Sequence, residues 1–60
     1  MSKRAVDTLF MALYTITDLR VILRETAPSH ELAPEQRVQA ERLLANLERQ
    51  VATLKQEVLK

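Results

Sequence analysis

Two sets of apolar residues step through this chain at helical spacing, one in each half. Ala5, Leu9, Ala12, Ile16, Leu19 and Leu23 are separated by 4, 3, 4, 3 and 4 positions, and Ala40, Leu44, Leu47, Val51, Leu54 and Val58 repeat that spacing. An alternation of 4 and 3 places its members on one stripe of an α-helix, which turns once every 3.6 residues or so. No segment sustains the period of two that a strand needs, and there is no glycine to supply the positive-φ turns of tight β-hairpins. The chain reads as all-α.

The local signals divide it into two helices and a hinge, one helical hairpin over residues 1–60. Helix 1 is expected over about 3–26, with the Ser2 hydroxyl as its N-cap. Thr26, Ala27 and Pro28 end it, because the residue before proline avoids the α region. The hinge is expected over about 27–33, with a short 3₁₀ turn around His30 to Leu32. Helix 2 is expected over about 34–59. Pro34 suits its first position, and Glu35 complements the positive end of its dipole. Two helices of similar length joined by a short connection become antiparallel neighbours. The hairpin core is then expected at Leu9, Ile16, Leu19, Leu23, Leu44, Leu47, Val51, Leu54 and Val58.

Size makes that hairpin need support. The sequence has 60 residues and no cysteine, so no disulfide staples it, and its one histidine, His30, makes no metal cluster alone. Association remains. Helix 1 carries more apolar surface than one neighbour covers: Leu9 to Ile16 reads LFMALYTI, with Thr15 its one polar residue. Phe10, Tyr14, Thr17 and Val21 form a second stripe with steps of 4, 3 and 4. A helix apolar on opposite faces needs cover on both. The partner interface is therefore expected at Val6, Phe10, Met11, Leu13, Tyr14, Thr17 and Val21. A second copy, giving a dimeric four-helix bundle, is favoured over a helix of another protein.

The functional expectation is a small non-enzymatic protein–protein interaction module with an adaptor, regulatory or chaperone-like role. Catalytic chemistry has little to work with. Ser2 and Ser29 lack a base at useful spacing, and the carboxylates are scattered. Glu41 and Glu48, seven apart on helix 2, read as solubilising flank charges. The Glu-x-x-His element of a di-metal bundle is missing, and a glycine-rich phosphate loop has no glycine. No catalytic, cofactor-binding or metal-binding residue is assigned, and no cofactor or small-molecule substrate is expected.

Nine basic against eight acidic residues leave a net charge of +1, which points to no charged partner in bulk. Nucleic acid is still the main rival, since six residues are arginine. Its candidate contacts are Lys3, Arg4, Arg20, Arg24, Arg42 and Arg49, which a dimer would double into basic rows. Against it, Asp7 lies near Lys3 and Arg4, Glu41 follows Arg37 by one turn, and the chain has only two aromatics for stacking on bases. The longest uncharged run, Thr8 to Thr17, is ten residues. A membrane span takes about 20. A membrane-surface helix ranks last, because Asp7 and Asp18 interrupt helix 1. Lys3 and Arg4 precede an apolar stretch as in a signal peptide, but Asp7 breaks that stretch and no small-residue cleavage site follows. A cytoplasmic location is expected.

In architecture the chain resembles the small two-helix dimers of the plasmid RNA-binding Rop type. It is also similar to the helical-hairpin subunits of type III secretion needle chaperones. The first resemblance implies an RNA- or DNA-binding regulatory dimer, the second a small subunit of a heteromeric secretion chaperone. Neither rests on a motif, so no functional residue is carried over.

Overall fold

The computed structural model describes residues 2–59. It contains two helices, α1 over Lys3–Glu25 and α2 over Pro34–Val58. They pack as one antiparallel hairpin measuring 41 × 15 × 13 Å.

Each helix end has a local cause. The Ser2 hydroxyl accepts the Ala5 backbone N–H at 3.1 Å and caps α1. The same oxygen donates to Glu57 Oε1 at 2.9 Å, tying the start of α1 to the end of α2. At the other end the Thr26 hydroxyl bonds back to the Ile22 carbonyl at 2.9 Å, while its N–H reaches the same carbonyl at 3.1 Å. Pro34 opens α2, and the Ala33 N–H before it is taken by the Gln36 side chain at 2.8 Å. Ala33 is extended, at φ −64° and ψ 159°, as a residue before proline prefers.

The connection differs from the expected 3₁₀ turn at His30 to Leu32. The turn comes earlier, over 26–30, and 31–33 has no regular structure. His30 closes it. Its backbone N–H donates to the Thr26 carbonyl at 2.8 Å, and its Nδ1 lies 3.1 Å from the Leu23 carbonyl. A carbonyl oxygen only accepts, so Nδ1 carries the proton in this contact. These bonds hold His30 at φ 58°, the left-handed region. With the chain already reversed at His30, Glu31 to Ala33 run on to Pro34 without a further turn.

The seam that closes the hairpin corrects the expected core. The buried residues of α1 are Ala5, Thr8, Ala12, Thr15 and Ile22, followed by Thr26 at its cap. Leu19 is half-buried among them. Their spacing is again 3 and 4: the seam keeps Ala5, Ala12 and Leu19 of the expected stripe, and Thr8, Thr15 and Ile22 take the places of Leu9, Ile16 and Leu23. On α2 the facing stripe is Gln36, Ala40, Leu43, Leu47, Gln50, Leu54 and Glu57, all buried or half-buried. Of the nine expected core residues, Leu19, Leu47 and Leu54 are half-buried in the seam. Leu9, Ile16, Leu23, Leu44, Val51 and Val58 stand between 42% and 52% exposed.

The reason is side-chain size. Ala5 is completely buried, Ala12 is 6% exposed and Ala40 9% exposed. A methyl group is shielded this fully only when the neighbouring helix comes close. The threonines fit such a seam, since each is small, and the hydroxyls of Thr15 and Thr26 have acceptors in their own helix. Thr15 Oγ1, for example, donates to the Met11 carbonyl at 3.0 Å. Leu, Ile or Val at these positions would force the helices apart. The larger side chains therefore lie beside the seam.

Two outcomes follow. Ala12→Leu is expected to destabilise the hairpin by about 1–3 kcal/mol, read as a lower urea midpoint, because the seam has no room for three more carbons. At His30 a β-branched residue fits the left-handed region worst and glycine best. His30→Val is expected to cost about 1–2 kcal/mol more than His30→Gly in the same titration.

Candidate interaction surface

With Thr8, Thr15 and Ile22 in the seam in place of Leu9, Ile16 and Leu23, the hairpin has two unlike long sides. On the first, Leu9 of α1 converges with Val51, Leu54 and Val58 of α2. The Lys55 stem and Leu59 complete a shallow groove whose exposed lining is apolar throughout. The seven-residue repeat carries this side along both helices, through Ile16 and Leu23 on α1 and Leu44 on α2. Ile16 is 49% exposed, Leu44 47% and Val51 47%. Val6 and Leu13 sit next to this row and extend the apolar surface around α1.

The second side is polar. Arg4, Thr8 and Met11 of α1 face Asn46, Arg49, Gln50 and Thr53 of α2 across another shallow groove. An Arg49 guanidinium N–H donates to Asn46 Oδ1. Gln50 Oε1 is buried in this region without a hydrogen-bond partner. An acceptor left so is a local defect in an interior where nearly all buried polar groups are paired.

The seven residues expected to contact a partner are all exposed, but they do not form one patch. Val6 and Leu13 belong to the apolar side, and Met11 lines the polar groove. Phe10, Tyr14, Thr17 and Val21 lie on the back of α1. Tyr14 is 72% exposed and Phe10 56%. The Thr17 hydroxyl turns back to the Leu13 carbonyl at 2.9 Å.

The basic residues are likewise divided. Arg4 and Arg49 share the polar groove, with Arg42 two turns before Arg49 on the same stripe of α2. Lys3 lies at the first position of α1. Arg20 and Arg24 lie near the hinge end of α1, and Arg24 borders a dent with Val21 and Glu25. Arg37 pairs with Glu41 at 3.7 Å, both side chains well exposed, which makes the pair a weak contributor to stability. Among the described residues no group of three or more His, Asp or Glu is placed to hold a metal ion, and no helix is long and apolar enough to cross a membrane.

Sequence reasoning passed over Thr8, Thr15, Ile22, Leu43 and Gln50 as seam residues. A signal was there: Ala5, Thr8, Ala12 and Thr15 form a run of small residues at 3–4 spacing. Hydropathy ranks that run below the neighbouring leucines, although small size is what a close helix contact requires.

Gln50 gives a direct test of the seam. Gln50→Leu replaces an unpaired buried amide oxygen with carbon of similar bulk, and it is expected to raise stability by about 1–3 kcal/mol in chemical denaturation. Compared with protein-family profiles, with curated proteins and with solved structures, the chain matches none of them.

Proposed function

We propose that this chain is a non-enzymatic interaction module, a helical hairpin that works by packing its exposed apolar surface against further helices. A second copy would complete a four-helix bundle, and a helix of another protein would serve the same purpose. One observation carries this reading. The chain leaves Leu9, Leu13, Ile16, Leu44 and Val51 between 42% and 51% exposed, while the buried hydrophobic residues among those described are three alanines and one isoleucine. Contiguous apolar surface of this kind marks a contact site. Adaptor, regulatory and chaperone-like roles all follow from such a module.

A second reading has one observation in its favour. Arg4 and Arg49 share a polar groove with Asn46, Gln50 and Thr53, and phosphate oxygens accept from all of these side-chain types. The regulatory nucleic-acid-binding dimer would use this side. Retention on heparin at about 0.15 M salt, falling steeply at higher salt, is what it requires. Flow-through at the lower salt removes it.

For the interaction reading the measurement is mass in solution, by sedimentation or light scattering, across a hundredfold range of concentration, with far-UV helicity on the same samples. Assembly that strengthens with concentration at full helicity is the expected result. A fully helical monomer of ordinary stability throughout the range would remove the reading, since its apolar surface would then need no cover.

A further inference from the structure

We infer that the side of the hairpin carrying Leu9, Ile16, Leu44 and Val51 is the seat of a second copy of this chain, packed face to face about a twofold axis. This rests on the interaction reading above and names both its surface and its partner. The contact includes both helices, so it is distinct from the Phe10–Tyr14 back of α1.

The area favours a copy. By the surface scaling of compact proteins, a folded monomer of 6.9 kDa presents about 4,000 Å². This chain presents 4933 Å². The excess, roughly 900 Å², is spread over an elongated molecule and is of the same scale as the 800 Å² or so that each partner contributes to a standard interface. The shape agrees. The radius of gyration is 13.6 Å, where a compact chain of this length has about 10 Å. A hairpin 13 Å thick is a single layer, and folded domains bury their apolar faces between two.

The chemistry of the face selects the occupant. Leu9 with Val51 and Ile16 with Leu44 lie at matching levels of the antiparallel pair, so the centre of the face is aliphatic on both helices and carries no charge. Such a face is complementary to itself: a twofold axis brings aliphatic rows onto aliphatic rows, with no like charges opposed at the centre. Nucleic acid finds one cation at its edge, Lys55, and no row of them across the aliphatic centre. An anionic lipid surface is disfavoured, because the border of the row on α2 is Glu41, Glu48 and Lys55, two acids to one base, where a membrane-surface helix would present a row of Lys or Arg.

The test is sedimentation equilibrium of the full chain and of three variants, Ile16→Glu, Val51→Glu and Tyr14→Asp, with helicity recorded alongside. A dimer is expected for the native chain. Ile16→Glu and Val51→Glu are each expected to raise its dissociation constant at least a hundredfold, since each change occurs twice in the interface and each lost side chain is worth a factor of ten or more. Tyr14→Asp is expected to leave the constant within a few-fold. If Tyr14→Asp abolishes assembly while the two glutamate variants retain it, the inference falls and the interaction reading survives. A native chain that is monomeric and fully helical removes both. A native chain that assembles only beyond a dimer overturns the twofold pairing alone. A second readout does not depend on the glutamate variants folding. The chain has no cysteine, so Ile16→Cys and Thr17→Cys each take a single nitroxide label. In the assembled protein the label at 16 is expected to be immobilised and the label at 17 to stay as mobile as on a free helix surface. A mobile label at 16 overturns the inference.

Discussion

The close approach of the two helices through small side chains is the constraint from which the rest of this structure follows. Ala5, Thr8, Ala12 and Thr15 are the buried residues over the first half of α1, and Ala40 is the buried residue of α2. A seam built this way buries little apolar area per contact. It has two compensations. The Thr15 and Thr26 hydroxyls find acceptors in their own helix, so burying them leaves neither unpaired. The Ser2 hydroxyl also donates to Glu57 Oε1, a polar tie between the helices that needs no apolar area. Its geometric consequence is larger than its energy: every bulky aliphatic side chain beside the seam is sent outward.

That consequence bears on stability. Among the described residues no large side chain is fully buried. Ordering this many residues is entropically expensive, and the seam alone offers few of the apolar burials that usually offset that cost. Disulfides are absent because cysteine is absent. Anything that covers the outward leucines and isoleucine binds the folded form and not the unfolded one, and so stabilises it by mass action. In the proposed dimer, folding and assembly would be one equilibrium, and stability would depend on protein concentration.

The seam also separates two chemistries that the sequence interleaves. Arg4, Met11, Asn46 and Arg49 fall on one side, and Leu9, Ile16, Leu44 and Val51 on the other. A protein whose apolar side is occupied by a copy of itself keeps its polar groove and the Phe10–Tyr14 back of α1 for other contacts. The basic residues do not converge on one face. Arg20 and Arg24 sit on α1 near the hinge, while Arg42 and Arg49 follow one stripe of α2. Simple phosphate tracking therefore has less support than helix packing.

Much of the fold was legible in the amino-acid order. The helices, the Ser2 cap of α1, the Pro34 start of α2, and the reversal between them follow from side-chain chemistry within a few residues of each feature. The excess of apolar surface on α1 was legible too, because hydrophobic periodicity counts residues whichever way they face. What the sequence left open was which of two adjacent stripes closes the hairpin. Leu9 and Thr8, Ile16 and Thr15, Val51 and Gln50 differ by one position, or about 100° around the helix. Hydropathy favours the first of each pair and close packing the second. That choice depends on how near the partner helix can come, a property of two segments brought together from opposite ends of the chain. Only the tertiary structure decided it, by placing alanine and threonine inside and leaving leucine, isoleucine and valine as a face for something else to cover.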